Sequence, residues 1–140
     1  MRRFLVPVDG SAVAERAAAH AVELAGAMPG TRVLLVNVQP ALAHPQAGGL
    51  LNPEVLSELR TMGEQAAAGA RGLLDRAGVL YEFDVAFGHP AEVIVRLARE
   101  KACGGIVMGS RGMGDFRSSM LGSTTHQVIE RADVPVTVVK

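Results

Sequence analysis

Short apolar runs alternate along the chain with longer segments in which apolar residues recur every three or four positions. The runs are rich in β-branched and aliphatic residues, and four helical patterns separate them. Strict alternation of strand and helix is typical of a parallel sheet covered by helices on both faces, so we expect an α/β fold. The predicted strands lie near Arg3–Val8, Arg32–Val38, Val79–Phe87, Gly105–Met108 and Val134–Val139.

The first two helical segments have clear boundaries. Ser11 is a good N-cap for the first helix, and Pro29-Gly30 ends it. The second helix begins after Asn52, with Pro53 in its first turn, and ends at Gly78. The apolar residues predicted to face the sheet are Ala17, Ala21, Leu24 and Met28 in the first helix and Val55, Leu59, Met62, Ala66, Ala70, Leu73 and Leu74 in the second.

The later segments complete the pattern. The third helix is predicted to begin at Pro90, and the fourth to run from Ser123 to Ala132. Along the third strand, apolar residues alternate with Glu82 and Asp84, so one face meets water and the strand is expected near a sheet edge. The aperiodic segment from Pro40 to Leu51 is rich in Pro, Ala and Gly and is predicted to be a long loop.

Composition limits the classes of protein to consider. At 140 residues, the chain is expected to form one domain over residues 1–140, with an aliphatic core, because 49% of its residues are apolar and only 4% aromatic. The net charge of zero predicts no general attraction to nucleic acid or to anionic membranes. Cys103 has no partner for an intramolecular disulfide, which favours a packed thiol and a cytoplasmic protein. Arg2-Arg3 superficially resembles an export signal, but Asp9-Gly10 cuts the apolar stretch short.

The histidines are spread along the chain. His20, His44, His89 and His126 form no metal-ligand spacing, so we interpret them as structural or surface residues. His126 falls in the first turn of the last helix, where as a cation it would be placed to reach a terminal phosphate.

The most distinctive segment follows the fourth predicted strand. Gly109 and Gly112 are followed after nine residues by Gly122-Ser123, and Thr124 then opens a helical pattern. Glycines permit close backbone approach, and the first N–H groups of a helix favour an anion, so the segment predicts a phosphate site. The spacing fits neither the dinucleotide fingerprint nor the Walker loop. The alternative is turn geometry alone, although such a connection needs only about two to six residues.

Three segments are expected to meet at one crevice. Ligands of an open parallel sheet bind beyond the carboxyl ends of the strands, where the winding reverses. Asp9-Gly10, Val38-Gln39 and the glycines from Gly109 to Gly112 each follow a predicted strand. Because Asp9 would repel phosphate, it suits ribose hydroxyls, an adenine edge or a divalent ion, or else a turn before the first helix.

The pattern G-x2-G-x9-G-[ST], here from Gly109 to Ser123, resembles the signature of the ATP-binding branch of the universal stress protein family. Phe4–Ser11, Leu34–Val38 and Pro135–Val139 are similar to the first, second and last strands of that family. The resemblance implies a single-domain, doubly wound five-stranded parallel sheet of the adenine nucleotide alpha hydrolase type, with strand order 3-2-1-4-5, and a homodimer.

The resemblance also implies a role for individual residues. The main chain of Val38 would face the adenine edge, with Pro7 and Met108 lining the base pocket. Without the resemblance, Val38 and Met108 would be interpreted as core residues. Arg111 and Arg117 would either offset phosphate charge or lie on the solvated surface. The candidate nucleotide-binding residues are Pro7, Asp9, Val38, Met108, Gly109, Ser110, Arg111, Gly112, Gly122, Ser123 and Thr124. The sequence departs from the family where Gly104-Gly105 replaces a frequent acidic residue and Asn37 a frequent His.

These features predict an ATP-binding universal stress protein that acts as a nucleotide-dependent switch or sensor, with Mg²⁺ on the triphosphate. The sequence has no P-loop Lys and no nucleophile–base pair, so we expect no enzyme, or at most a slow or partner-dependent ATPase. The alternatives are a slow nucleotide hydrolase or nucleotidyl transferase using the same crevice, and an interaction module without nucleotide. The apolar last strand, Val134–Val139, would leave an unpaired sheet edge, which predicts a homodimer through that strand.

Overall fold

The computed structural model describes residues 2–40, 52–112 and 121–140. Strands and helices alternate through these residues, and the five strands pair in the order β3-β2-β1-β4-β5. Every pair of neighbouring strands is parallel. The predicted α/β class and the order 3-2-1-4-5 are therefore confirmed. The elements are β1 (Arg3–Pro7), α1 (Ala12–Ala27), β2 (Arg32–Gln39), α2 (Pro53–Ala77), β3 (Tyr81–Phe87), α3 (Pro90–Glu100), β4 (Gly105–Gly109), α4 (Ser123–Arg131) and β5 (Val136–Val139).

The helix boundaries follow local chemistry. The Ser11 hydroxyl accepts a hydrogen bond from the Ala14 N–H at 3.1 Å and so caps α1. Asn52 caps α2 in the same way, and Gly78 ends α2 with a left-handed φ of 69°. The third strand begins at Tyr81, two residues later than predicted, because the Val79 N–H donates to Leu74 in the turn that ends α2.

Helices cover both faces of the sheet. Val6 and Leu35 pack with α1 and α2 on one face, while Leu5, Val36 and Ile106 pack with α3 and α4 on the other. Successive residues of β1 thus contribute to two different cores, which explains why the central strands are almost continuously apolar. Within the described part of the chain, no helix combines the length and apolar character needed to cross a bilayer.

Helix α2 contacts the sheet through small residues. The prediction placed Met62 on the buried face, but 55% of Met62 is exposed, and Gly63 and Ala67 are buried instead. A Cβ added to Gly63 would lie 2.8 Å from a Val85 methyl group and 2.9 Å from the Asn37 Oδ1 atom. The helix therefore approaches the sheet at a point where only glycine fits, and Met62, the neighbour of Gly63, faces outward. The predicted inward positions Leu59, Ala70 and Leu74 are buried, as expected.

The strand pairing opens one end of the sheet. Strand β1 pairs with β2 from Arg3 to Pro7, but its pairing with β4 covers only Phe4 and Leu5. Strands β1 and β4, which flank the reversal of winding, are thus no longer paired toward their carboxyl ends. A crevice forms there, at the position where ligands bind in sheets of this kind. Strand β3 lies at a sheet edge, as its alternating pattern predicted. The predicted loop lies outside the described residues from residue 41 onward.

Candidate functional site

A cavity of about 600 Å³, including its open mouth, lies at the carboxyl ends of β1, β2 and β4. The three predicted segments meet in its wall, so the sequence argument identified the correct end of the sheet. Ser110, Gly122 and Ser123 are candidate residues that do not line the cavity. The candidates that do line it are Pro7, Asp9, Val38, Met108, Gly109, Arg111, Gly112 and Thr124.

One part of the wall is apolar. Pro7, Val38 and Met108 contribute from the ends of three strands, and Pro90 and Ile94 contribute from the first turns of α3. Ile94 was not among the candidate residues, and the sequence gave Pro90 only a role in starting α3. The rule that ligands bind beyond the carboxyl ends of the strands points to the loops after those strands. It does not predict that the first turns of a helix at the same edge also line the cavity. This part of the wall suits a flat, largely apolar group.

The amino terminus of α4 forms a polar part of the wall. Its N-cap is Gly122, which has no side chain to cap the helix, and the first helical bond is that of the His126 N–H to the Gly122 carbonyl at 3.0 Å. The N–H groups of Ser123, Thr124 and Thr125 precede this bond and point out of the helix end. None of them donates a hydrogen bond to another residue that the structure describes. The amino terminus of α4 therefore presents open donors and the positive end of the helix dipole, an arrangement that favours an anion.

Main-chain hydrogen bonds hold Ser110 and Gly122 next to each other. The Ser110 N–H donates to the Val139 carbonyl at 2.7 Å, and the Gly122 N–H donates to the Ser110 carbonyl at 2.7 Å. These two N–H groups are engaged within the protein, so Ser110 and Gly122 do not offer open donors. The Thr125 hydroxyl, which is 2% exposed, donates to the Gly109 carbonyl at 2.9 Å. Thr125 was absent from the candidates, although its place in the first turn of α4 was a usable signal.

Asp9 forms the turn that precedes α1. Its Oδ1 atom accepts a hydrogen bond from the Ser11 N–H at 3.0 Å, which is the local role considered as an alternative for this residue. Asp9 also lines the cavity and is only partly buried. The Ser11 hydroxyl already engages one donor in the first turn of α1, the Ala14 N–H, and the Asp9 carboxylate lies directly before that turn. A carboxylate repels an anion, so the start of α1 is a poor site for one.

Asn37 extends the connection between β1 and β2. Its side-chain N–H donates to the Val8 carbonyl at 2.8 Å, and its carbonyl oxygen accepts from the Gln39 side chain at 2.8 Å. Asn37 is 3% exposed and lines the cavity. The sequence identified it only as a departure from the family pattern, whereas the structure shows that it fixes the main chain just before Asp9.

The remaining polar residues discussed from the sequence lie in different places. Arg111 is partly buried in the cavity wall, while Arg117 and His44 lie outside the described residues. His126 is exposed, and its Nδ1 atom lies 3.6 Å from Glu130.

Burial raises the pKa of the Cys103 thiol, in keeping with a packed cysteine. In residues 2–40, 52–112 and 121–140, no group of three or more His, Cys, Asp or Glu side chains is arranged to hold a metal ion.

The parallel strand order β3-β2-β1-β4-β5, with helices on both faces, places the protein in the class of doubly wound α/β domains. Residues 1–140 match the model of the universal stress protein family, and the chain belongs to that family. It is 32% identical over 142 residues to universal stress protein MJ0531 of Methanocaldococcus jannaschii, covering 99% of this chain and 82% of that protein. It is 30% identical over 145 residues to universal stress protein YxiE of Bacillus subtilis, covering 99% and 98%.

Solved structures support the same assignment. The structure of protein MJ0577 of Methanocaldococcus jannaschii superposes with a TM-score of 0.85 at 27% identity, covering 99% of this chain and 95% of that one. A universal stress protein of Archaeoglobus fulgidus, solved in complex with dAMP, has a TM-score of 0.72 at 24% identity, covering 100% and 98%. The second likeness shows a shared fold, and the bound dAMP is a property of that protein.

Proposed function

We propose that the protein binds an adenine nucleotide, ATP, with its phosphates at the amino terminus of α4. The observation that carries this proposal is the set of open N–H groups at Ser123, Thr124 and Thr125, at the rim of a cavity with an apolar part. The other helices that begin at this edge are less suitable. The first turn of α1 is capped by Ser11, and α3 begins with Pro90, which has no N–H to donate.

The main chain at the end of β2 is suited to the adenine ring. The Val8 N–H donates to the Val36 carbonyl at 2.8 Å, so the even-numbered residues of β2 direct their main-chain groups toward β1. Val38 is the next such residue, and it lies beyond the last bond between the two strands. Its N–H and C=O therefore supply a donor and an acceptor for the edge of a base held between Pro7 and Met108. This is the role that the family resemblance implied for Val38.

The proposal includes Mg²⁺ on the triphosphate. Among the described residues that line the cavity, Asp9 is the one carboxylate, and Arg111 is the one cationic side chain. Mg²⁺ at nucleotide sites is usually held by phosphate oxygens, water and one or two carboxylates, and this wall fits that requirement. Asp9 would hold the ion directly or through water, while Arg111 would balance phosphate charge.

We further propose that nucleotide occupancy acts as a switch in the cytoplasm rather than as one step of rapid catalysis. The site as described offers donors for binding, and the nucleotide would be retained rather than turned over. Incubation with Mg-ATP is therefore expected to release ADP or AMP slowly, on the timescale of hours, without rapid multiple turnover. Fast release of either product would replace the switch with the hydrolase or transferase alternative.

A proline substitution tests the phosphate site directly. Proline is favoured at the first position of a helix, and the Gly122 ψ of 155° suits a residue that precedes proline. Ser123→Pro should therefore fold normally while removing one open N–H. Ser123→Ala is the matched control, since it removes the hydroxyl but keeps the N–H.

Calorimetric titration with ATP in the presence of Mg²⁺ would measure the effect. Loss of one hydrogen bond to a charged group costs about 1.5–3 kcal/mol, so Ser123→Pro should weaken ATP binding about 10-fold to 100-fold. Ser123→Ala should weaken it less. Equal ATP affinities for Ser123→Pro and the unmodified protein would show that the phosphates do not bind at the α4 terminus. Absence of binding to the unmodified protein at millimolar ATP would refute the proposed function.

We also propose a homodimer through the outer edge of β5. The segment from Val134 to Val139 contains no charged residue, whereas the other free edge, β3, carries Glu82 and Asp84. Two copies paired through β3 would bring like charges together, so β5 is the better self-pairing edge. Light scattering at micromolar concentration should give twice the chain mass of 14.6 kDa, and a monomer mass would refute this part of the proposal.

A further inference from the structure

The anion site and the edge of β5 are connected by a short series of main-chain hydrogen bonds. The Val139 carbonyl in β5 accepts from the Ser110 N–H at 2.7 Å. The Ser110 carbonyl accepts from the Gly122 N–H at 2.7 Å, and the Gly122 carbonyl accepts the first helical bond of α4 from His126. Two peptide units, at Ser110 and Gly122, therefore separate the last strand from the open N–H groups of α4. We call this series the Ser110 relay.

The register of β5 determines which of its groups face outward. Pro135 and Val139 direct their carbonyls to β4, because they accept from the N–H groups of Ile106 and Ser110. Alternate residues of a strand bond in opposite directions, so Val136 and Val138 direct their N–H and C=O groups away from the sheet. Val138 adjoins Val139, the first member of the relay.

The outward groups define how two copies would pair. An antiparallel pairing about a two-fold axis at Thr137 places Val136 opposite Val138 of the partner subunit, and each supplies both its N–H and its C=O to the other. Such pairing would fix the main chain of Val139 from one side. Arg16 fixes the adjoining residue from the other side, because its Nε atom donates to the Lys140 carbonyl at 3.0 Å.

We infer that pairing at the β5 edge and nucleotide binding at α4 strengthen each other through the Ser110 relay. The inference rests on the proposed function. Ordering of β5 by a second copy would fix Val139, and through Ser110 it would fix the Gly122 peptide that sets the position of the α4 donors. Phosphate bound at α4 would order the same peptides from the opposite end, so the conformational cost is shared. Coupling of this kind acts equally in both directions.

Val138→Pro should prevent pairing at the β5 edge without altering a residue of the nucleotide site. The Val138 N–H points away from β4, so proline there removes an intersubunit donor without removing a bond of the sheet. Val138→Lys is the second variant, and it places a charge in the pairing edge without changing the main chain. Circular dichroism and thermal denaturation would verify the fold of each variant.

Sedimentation and calorimetry then measure both sides of the linkage. For the unmodified protein, saturating Mg-ATP should lower the dimer dissociation constant about fivefold or more. The monomeric variants should bind ATP more weakly by a corresponding factor. Hydrogen exchange supplies an independent readout: ATP should slow exchange at residues 134–140, and Val138→Pro should speed exchange at residues 109–112.

The outcomes are distinguishable. A protein that binds ATP and dimerises with a dissociation constant independent of ATP overturns the inference and leaves the proposed function intact. A monomer in both conditions, or a Val138→Pro monomer with unchanged ATP affinity, also overturns it. Absence of ATP binding to the unmodified protein overturns the proposed function itself, and the inference with it.

Discussion

Gly109 offers a sharp test of why glycine occupies the end of β4. The sequence assigned this glycine to close approach of a phosphate, but the structure places it against the first turn of α1. A Cβ added to Gly109 would lie 2.6 Å from the Val13 Cγ1 atom and 3.2 Å from both the Val13 Cβ and its carbonyl carbon. The first of these distances is too short for any contact between carbon atoms. We therefore expect Gly109→Ala to force α1 away from β4.

The magnitude follows from the kind of contact. Val13 is 8% exposed, so its methyl group has little room to rotate away, and the contact with its carbonyl carbon involves the main chain. Overpacking of a buried site by a methyl group costs about 1–3 kcal/mol, and we expect about 2 kcal/mol here. A domain of this size loses about 4 °C in melting temperature per kcal/mol, so Gly109→Ala should melt about 8 °C lower.

A double-mutant cycle identifies the cause. Val13→Ala removes the Cγ1 atom and on its own should cost about 1–2 kcal/mol through the cavity that it leaves. If the clash is with Val13, urea denaturation should show that the double variant is more stable than the sum of the two losses predicts, by about 1 kcal/mol or more. Strict additivity, or a neutral Gly109→Ala, would refute the packing explanation and restore the ligand-based one.

Two further substitutions test a hydrogen bond at the site and a strained residue before β4. Thr125→Val keeps the shape of the side chain but leaves the buried Gly109 carbonyl without its donor, which should cost about 1–3 kcal/mol in urea denaturation, while Thr125→Ser should cost less. Equal losses for the two variants would show that the hydroxyl is unimportant. Ala102 has a φ of 51°, so Ala102→Gly should relieve left-handed strain and raise the free energy of unfolding by up to about 1 kcal/mol, and a lower melting temperature would contradict this.

The fold could be predicted where local chemistry determines it. Ser11, Asn52 and Gly78 mark helix ends by hydrogen bonding and backbone conformation, and each acts as predicted. Strand order did not follow from periodicity, because strands buried on both faces have similar patterns, and it came instead from the family resemblance. The prediction of the inward face of α2 was partly wrong. Apolar periodicity favoured the larger Met62, but α2 lies so close to the sheet that only the glycine at position 63 fits there.

The sequence predicted which segments of the chain form the site. It predicted less well which N–H and hydroxyl groups of those segments are available there. The rule that ligands bind beyond the carboxyl ends of the strands brought Asp9, Val38 and Gly109 into one wall, as the cavity shows. Which N–H groups remain open depends on pairings between distant residues, such as Ser110 with Val139, and no local pattern encodes them. Thr125 is a different case: its place in the first turn of α4 was a usable signal, but the carbonyl that its hydroxyl contacts comes near only in the folded chain.

The glycine at position 122 can be understood by comparing the helices that begin at this edge. Gly122 has a φ of −64°, which any residue adopts, so backbone freedom does not explain it. A Ser or Asn at this N-cap would turn its side-chain oxygen onto the first-turn N–H groups, as Ser11 does in α1. Glycine cannot cap, so the donors of α4 stay available to a ligand. The exposed helix terminus is then a modest cost in stability, and a bound phosphate would remove it by serving as the missing cap.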